Sequence, residues 1–146
     1  MSSRPDTPQR GDLYWAEVPY LPERPLEVLR RISAGEVRAI LTFKTRPVLV
    51  IQNRRDNCNP AYPFVLVAAV HSIKPGELGK LRRINHPTDL LLSPDECALK
   101  RPSVVFLNQL VTLHKNLLQE RIGSVPAARM AELNVKLALA LDLVAP

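Results

Sequence analysis

Apolar runs separated by polar, proline-bearing segments recur along this chain and predict a protein built mainly from β-strands. The runs from Pro47 to Ile51 and from Phe64 to Val70 are almost continuously apolar, which is typical of strands that are buried on both faces or line a small barrel. Asp12 to Val18 is rich in aromatic and β-forming residues and ends at Pro19, which predicts a first strand. We expect the two apolar runs to form the centre of the core.

Shorter stretches also match the strand pattern: Thr88 to Leu92, Ser103 to Leu107 and Ile122 to Val125. Polar turn-forming residues separate the strands, at Asn53 to Pro60 and again at Ser93 to Asp95. The pattern therefore predicts short strands joined by turns.

The last segment of the chain has a helical rather than a strand period. Pro126 suits the first turn of a helix. Apolar residues then recur every three or four positions, at Met130, Leu133, Leu137 and Leu141. This spacing predicts a C-terminal helix with one apolar stripe.

A long connection over residues 19–42 separates the first two strands. It contains prolines and glycines at Pro19, Pro22, Pro25 and Gly35. Leu26, Leu29 and Ile32 follow one another at helix-like spacing, so we expect one short helix there. Residues 1–9 are expected to form a mobile tail.

Length and charge narrow the class of protein. The chain has 146 residues, of which 46% are hydrophobic, enough for one core and a single domain over residues 1–146. Lys and Arg number 20 against 14 Asp and Glu, which gives a net charge of +6 and attracts polyanions such as nucleic acids. Charge alone leaves open a basic protein with a solvated face and no such partner.

The cysteines and the N-terminus indicate a reduced, cytoplasmic protein. Cys58 and Cys97 form no CxxC pair and have no histidine at zinc-ligand spacing, so we expect no metal or other cofactor. The N-terminus lacks the basic start and apolar run of a signal peptide. The apolar runs are also far shorter than the roughly 20 residues of a membrane span.

A basic segment runs from Ile73 to His86. Its cations are Lys74, Lys80, Arg82 and Arg83, against the single acid Glu77. Gly76 and Gly79 give the backbone conformational freedom, so we expect a flexible basic loop suited to contact a polyanion such as a nucleic-acid backbone.

Four stretches resemble, in their order, the toxins of the MazF/PemK family. They are Arg10 to Trp15 (RGDLYW), Lys44 to Val50 (KTRPVLV), Phe64 to Ser72 (FVLVAAVHS) and Ser103 to Gln109 (SVVFLNQ) followed by Thr112. The resemblance spans nearly the whole chain. It is carried by the order of the Gly-Asp-aromatic opening, the Lys-Thr-Arg-Pro segment and the Ser-Val-Val strand that ends in Gln.

The resemblance implies a mostly β fold with some α structure, an SH3-like small barrel of the CcdB/MazF/PemK type with a C-terminal helix and short inserted helices. It also implies a homodimer that acts as a metal-independent, sequence-selective endoribonuclease toxin, inhibited by an acidic cognate antitoxin. In that chemistry a 2′-hydroxyl of single-stranded RNA attacks its own neighbouring phosphate. A proton must then be taken up and returned, and cationic donors must stabilise the phosphate.

Arg46 matches the active-site arginine of the family, directly before the proline, and Lys44 precedes it as a candidate RNA contact. A guanidinium can bind a phosphate through two hydrogen bonds and stays charged at any working pH. The structural alternative is an arginine that lies over the barrel or pairs with Asp12.

His71 and Ser72 stand where many relatives carry Thr followed by Ser or Gly. A histidine can take and give protons near neutral pH, so His71 is a candidate catalytic residue, and Ser72 is a candidate hydroxyl donor to phosphate. A histidine at the end of a strand is also often a hydrogen-bonded structural residue, and a serine there can cap the following loop.

Asn108 occupies the position where some relatives carry an acid before Gln. An amide cannot accept the proton, so we expect Asn108 and Gln109 to read or orient RNA, while Phe106 is expected in the core. The missing acid keeps a second function open, namely a non-catalytic nucleic-acid-binding or gyrase-inhibiting protein on the same fold.

Overall fold

The computed structural model of the chain describes residues 7–20, 30–76 and 86–143. The strands are β1 Asp12–Pro19, β2 Arg30–Ser33, β3 Glu36–Arg38, β4 Phe43–Val50, β5 Phe64–Ser72, β6 Asp89–Leu92, β7 Ser103–His114 and β8 Leu118–Ser124. The helices are α1 Arg54–Cys58, α2 Pro94–Cys97 and α3 Ala127–Ala140, with a 3₁₀ turn at Lys115–Leu117.

Six of these strands form one antiparallel sheet in the order β6-β7-β5-β4-β1-β8. Strands β2 and β3 pair only with each other, as a separate ribbon. The mostly β fold with a C-terminal helix and short inserted helices is thus confirmed. The predicted barrel is open, because the edge strands β6 and β8 do not pair.

Side-chain alternation divides the core into two layers, one on each face of the sheet. Leu13 on β1 and Leu49 on β4 belong to the first layer, whereas their neighbours Tyr14 and Val48 belong to the second. Helix α3 covers the first layer and inserts the fully buried Leu133 into it. The second face is therefore the one that α3 leaves uncovered.

Helix α3 confirms most of the predicted apolar stripe. Met130 and Leu137 pack beside Leu133 against the first layer. Pro126 is the N-cap residue, one position before the first helical residue, and Leu141 is the exposed C-cap. From Met130 to Leu137 the stripe thus attaches the helix to the sheet over about two turns.

Several elements exceed their predicted bounds because pairing extends beyond the apolar runs. Strand β4 begins at Phe43, which pairs with Pro19, and β7 continues to His114, which pairs with Phe64. The polar segment after β4 folds into α1, whose N-cap Asn53 accepts a hydrogen bond from the Asp56 N–H at 2.9 Å.

The connection over residues 19–42 contains the β2–β3 ribbon. Ile32 lies on β2 rather than in the short helix predicted for this region. Leu26 and Leu29, the other members of that pattern, lie outside the described residues. At the sheet end of the connection the Tyr20 N–H donates to the Thr42 carbonyl at 2.7 Å, which extends the β1–β4 pairing by one step.

Candidate active site

Strand register brings Arg46 and His71 to the same end of the same face. Strands β4 and β5 pair Val48 with Ala69, and two residues further along this register Arg46 comes opposite His71. Because side chains two residues apart share a face, Arg46 lies on the face of Val48. The fully buried Val48 belongs to the second core layer, so the two residues extend that layer at its polar end.

The Arg46 side chain is exposed and keeps its donors available. Within the described residues its guanidinium forms no hydrogen bond or ion pair. The alternative partner Asp12 is engaged elsewhere: its carboxylate pairs with Arg121 at 3.4 Å and accepts the Gln9 N–H at 2.9 Å. A pairing of Arg46 with Asp12 is therefore excluded, and the guanidinium is open to a phosphate.

Lys44 follows Arg46 along the same face of β4. Its Nζ lies 3.9 Å from the centroid of the Tyr20 ring, a cation–π contact that holds the ammonium over β1. Alternate residues of a strand are roughly 6.6 Å apart. Lys44 and Arg46 therefore present two positive charges in a row at the exposed end of the sheet.

His71 is exposed and contacts Phe106. The two ring centroids lie 6.3 Å apart with 33° between the ring planes, because β5 and β7 pair Ala69 with Phe106 and His71 with Val104. Phe106 is half-buried and lies beside the candidate site, which corrects its expected place in the core. The contact positions the imidazole at the open end of β5.

A bulge in β7 presents the two amides. Ala68 pairs with Leu110, whereas the next residue of β5, Ala69, pairs with Phe106. The three residues 107–109 of β7 therefore lie between two consecutive paired positions of β5. Extra residues of this kind leave the ladder and bend the strand. Asn108 and Gln109 are exposed within this bulge, beside the strand that carries His71.

Ser72 is not brought to the same place. It pairs with Ser103 and follows His71 directly, so its side chain lies on the other face of the sheet, and it is half-buried. This placement separates the Ser72 hydroxyl from the face of Arg46 and His71, and its catalytic role stays a prediction. Lys74 is exposed, whereas Lys80, Arg82 and Arg83 of the predicted basic loop lie outside the described residues.

The sequence motifs do not indicate the aromatic residues of this face, Tyr20 and Phe106. Tyr20 follows the last residue of β1, and its role depends on the ladder that brings it to Lys44. The signal available for Phe106 is its place in the sequence motif from Ser103 to Gln109, but the register of β7 against β5 is needed to set it beside His71.

In the described part of the chain, no group of three or more His, Cys, Asp or Glu side chains is placed to hold a metal ion. None of the described helices is both long and apolar enough to span a lipid bilayer.

The fold and this face define a class of small antiparallel β-proteins with a C-terminal helix and a cationic end that carries a histidine. Residues 9–141 match the family described as PemK-like, MazF-like toxin of type II toxin-antitoxin system. The chain is 30% identical over 135 residues to Endoribonuclease MazF of Staphylococcus saprophyticus, with 92% of each protein covered. The chain belongs to the family of PemK-like, MazF-like toxins of type II toxin–antitoxin systems, as its motifs predicted.

Solved structures share this fold. An endoribonuclease from a mycobacterial species is similar with a TM-score of 0.62 at 20% identity, over 99% of this chain and 100% of that chain. A mycobacterial endoribonuclease in complex with its cognate antitoxin gives 0.60 at 22% identity, over 95% and 99%. The MazE–MazF complex of Deinococcus radiodurans gives 0.58 at 20% identity, over 93% and 97%.

Proposed function

We propose that this toxin is a metal-independent, sequence-selective endoribonuclease that cleaves single-stranded RNA through attack of a 2′-hydroxyl on the adjacent phosphate. The observation that carries the proposal is the β4–β5 register, which sets an arginine with open donors and an exposed histidine at one end of one face. The relative named Endoribonuclease MazF supports the reaction class.

Each group on the face has a task in this reaction. Arg46 binds the non-bridging oxygens of the scissile phosphate and stabilises the charge that builds there. His71 takes the 2′-hydroxyl proton as the new O–P bond forms, and returns it to the leaving 5′ oxygen as the old O–P bond breaks. The products are a 2′,3′-cyclic phosphate and a 5′-hydroxyl, and protons balance with one imidazole.

RNA recognition falls to the residues around this pair. Lys44 lies in line with Arg46 and is placed for a neighbouring phosphate. Asn108 and Gln109 carry amides that both donate and accept hydrogen bonds, as reading a base edge requires. Lys74 is exposed at the end of β5, where the chain leads into Lys80, Arg82 and Arg83, the further cations proposed to contact the RNA backbone.

We infer that the toxin acts as a homodimer in the cytoplasm, where messenger RNA is available, and that an acidic cognate antitoxin restrains it. The cationic face of one subunit covers only a short length of single-stranded RNA. A two-fold symmetric dimer would double the length of RNA that is bound. The net charge of +6 suits an acidic inhibitor.

Cleavage of a labelled single-stranded RNA in EDTA tests the proposal. The wild type should cleave, and Arg46→Ala should lower the rate by about 10²–10³, as loss of a transition-state donor does elsewhere. Arg55→Ala is the matched control, because Arg55 is exposed on α1 at the other end of β4, and it should cleave like the wild type. Equal rates for Arg46→Ala and the wild type would refute the assignment.

A binding-only or gyrase-inhibiting protein is the second candidate. It is favoured by the exposed Asn108, an amide where some relatives carry a proton-accepting acid. Wild-type protein that binds RNA and leaves it intact under all conditions would favour this candidate over the nuclease.

A further inference from the structure

A buried carboxylate on β6 has one acceptor oxygen without a donor. Asp89 is 7% exposed, and its Oδ2 accepts a hydrogen bond from the His86 N–H at 3.3 Å. Its Oδ1 is buried and receives no hydrogen bond from any group in the described part of the chain. Burying a carboxylate oxygen without a donor costs free energy, so the position calls for a physical reason.

The Asp89 side chain points to the face of the candidate active site. Leu90, the next residue on β6, belongs to the first core layer, so by alternation Asp89 points to the second face. Val70, which precedes His71 on β5, also belongs to the first layer. The carboxylate and the imidazole therefore lie on one face of the sheet.

Strand β7 links this carboxylate to the histidine. Phe106 pairs with Asp89 on β6 and with Ala69 on β5. Its ring contacts that of His71, with the ring centroids 6.3 Å apart. Because the Cβ atoms of directly paired residues are about 4.5–5.5 Å apart, the half-buried Phe106 side chain lies between the carboxylate and the imidazole.

An exposed apolar side chain lies next to this carboxylate. Leu91 is 44% exposed and shares the face of Asp89, two residues further along β6. It pairs with Val104, which pairs on its other side with His71, so two strand spacings, roughly 10 Å, separate Leu91 from the histidine. Apolar and aromatic side chains around one polar group are typical of a pocket that binds a small polar ring.

We propose that Asp89 is a specificity-determining residue, whose Oδ1 accepts a hydrogen bond from the exocyclic amino group of a cytosine or an adenine near the scissile phosphate. This inference rests on the proposed nuclease function for its substrate. A carboxylate reads the N4 amino group of cytosine in this way, whereas uracil has a carbonyl oxygen at the same position.

The base reaches the carboxylate through a side-chain movement. A tilt of the Phe106 ring toward β5 opens Oδ1 to the base and keeps the ring beside His71. Rotamer changes of this size are common at binding surfaces, and the ring then offers a face on which the base can stack. Leu91 bounds the same space from β6.

The variant Asp89→Asn tests the proposal most sharply. Its amide oxygen can keep the hydrogen bond from the His86 N–H, which places the NH₂ group where Oδ1 lies in the wild type. A donor at this place favours the O4 oxygen of uracil over the amino group of cytosine. Fluorescence anisotropy measures the change with two labelled 2′-O-methyl strands of about eight nucleotides, one of cytidine and one of uridine, which 2′-hydroxyl attack cannot cleave.

The measured quantity is the ratio of the two affinities, cytidine strand over uridine strand. Asp89→Asn should lower this ratio by about tenfold or more relative to the wild type. Asp89→Ser has neither the second oxygen nor the NH₂ group, so it should give an intermediate ratio, and it serves as the test if the asparagine variant does not fold. Asp95→Asn is the matched control, because Asp95 is exposed on α2, and it should keep the wild-type ratio.

Two results would overturn the proposal. A wild-type ratio in both Asp89 variants would make the carboxylate a structural group of the turn at His86, with a buried water on Oδ1. An equal loss of affinity for the two strands would show that the variants weaken RNA binding in general and do not select a base.

The proposed nuclease function can fail separately. The 2′-O-methyl strands report base selection whether or not RNA is cut, so wild-type protein that binds them and leaves unmodified RNA intact would refute the nuclease alone. If RNA is cut, sequencing of the cleaved ends should show the changed preference of Asp89→Asn at one position of the cleaved motif. Cleavage at an unchanged motif would refute the role of Asp89 and leave the nuclease standing.

Discussion

At the scale of single residues, the contact between His71 and Phe106 matters most for the proton transfer that we propose. A histidine at an exposed strand end can adopt several rotamers, and only some of them place the ring nitrogen for proton transfer. A neighbouring ring limits the number of rotamers. Aromatic pairs contribute about 0.5–1.5 kcal/mol beyond their buried area, enough to favour one orientation. Phe106, whose ring centroid is 6.3 Å from that of His71, therefore limits the orientations open to the imidazole.

Replacing His71 tests its role in proton transfer. His71→Ala should lower the cleavage rate by about 10²–10⁴ and flatten the rate profile around neutral pH, because a positioned acid–base group contributes in this range. The check is a series of single-turnover rates at several pH values. Ser72→Ala is the control, since Ser72 lies on the other face, and it should keep the wild-type profile. A His71→Ala variant with an unchanged profile would make the histidine structural.

Motif positions predicted Arg46 and His71, because each lies in a short local pattern. Their shared face could not be predicted, since it depends on the register between β4 and β5. The bulge that exposes Asn108 depends likewise on how β7 pairs with β5. The central strands were predicted from their apolar runs. The polar start of β4 has no such run and is recognised as a strand only by its pairing with β1. The β2–β3 ribbon has no apolar pattern to predict it.

At the scale of elements, α2 and α3 are joined by Glu96 and Arg129, whose side chains form an ion pair at 2.6 Å. Arg129 also donates to the Leu91 carbonyl at 2.8 Å, so one guanidinium ties α3 to α2 and β6. Hydrogen bonding from the Ser93 N–H and then from Arg129 lowers the pKa of the Glu96 carboxyl below its ordinary value. Burial raises the pKa of the neighbouring Cys97 thiol.

The lowered pKa of Glu96 predicts an acid-dependent stability. In the unfolded chain the carboxyl is protonated at a higher pH than in the folded one, so its contribution is present at neutral pH and is lost as pH falls through the folded pKa, below 4.5. Glu96→Gln should cost about 1 kcal/mol at pH 7 and markedly less at pH 3. Thermal unfolding at both pH values measures this, with the exposed Glu120→Gln as control. An equal difference in stability between Glu96→Gln and the wild type at both pH values would contradict the prediction.

The contact between β8 and the end of α2 predicts a steric effect. A Cβ at Gly123 would overlap the Cys97 carbonyl oxygen, whereas a Cβ at Gly35 would meet nothing within 4 Å. Gly123→Ala should therefore destabilise the protein by about 1–3 kcal/mol, and Gly35→Ala should leave the melting temperature nearly unchanged. Differential scanning calorimetry compares the two. Similar melting temperatures for both variants would show that β8 can move away from α2 at little cost.

At the scale of the whole molecule, cations gather at one end of the sheet. Lys44 and Arg46 lie on the active face there, and Lys74 follows β5. Helix α3 covers the opposite face and leaves Val135 and Leu139 exposed. The molecule thus has a cationic end, which we propose binds RNA, and exposed apolar side chains on α3 that a second subunit can cover.

Multi-angle light scattering at micromolar concentration tests the dimer. We expect a mass of twice the 16.4 kDa chain, because the cationic end of one chain is a short footprint for single-stranded RNA. A single species near the mass of one chain at every salt concentration would contradict the dimer and confine RNA binding to one subunit.

The chemistry of the cut ends tests the central claim most directly. Mass spectrometry of an RNA cleaved in EDTA should show a 2′,3′-cyclic phosphate on one product and a 5′-hydroxyl on the other. A strand with a single 2′-deoxynucleotide before the mapped cleavage site should resist cleavage there, since it lacks the attacking hydroxyl. Products with a 3′-hydroxyl and a 5′-phosphate, or cleavage of the deoxy-substituted strand at the same site, would contradict the account.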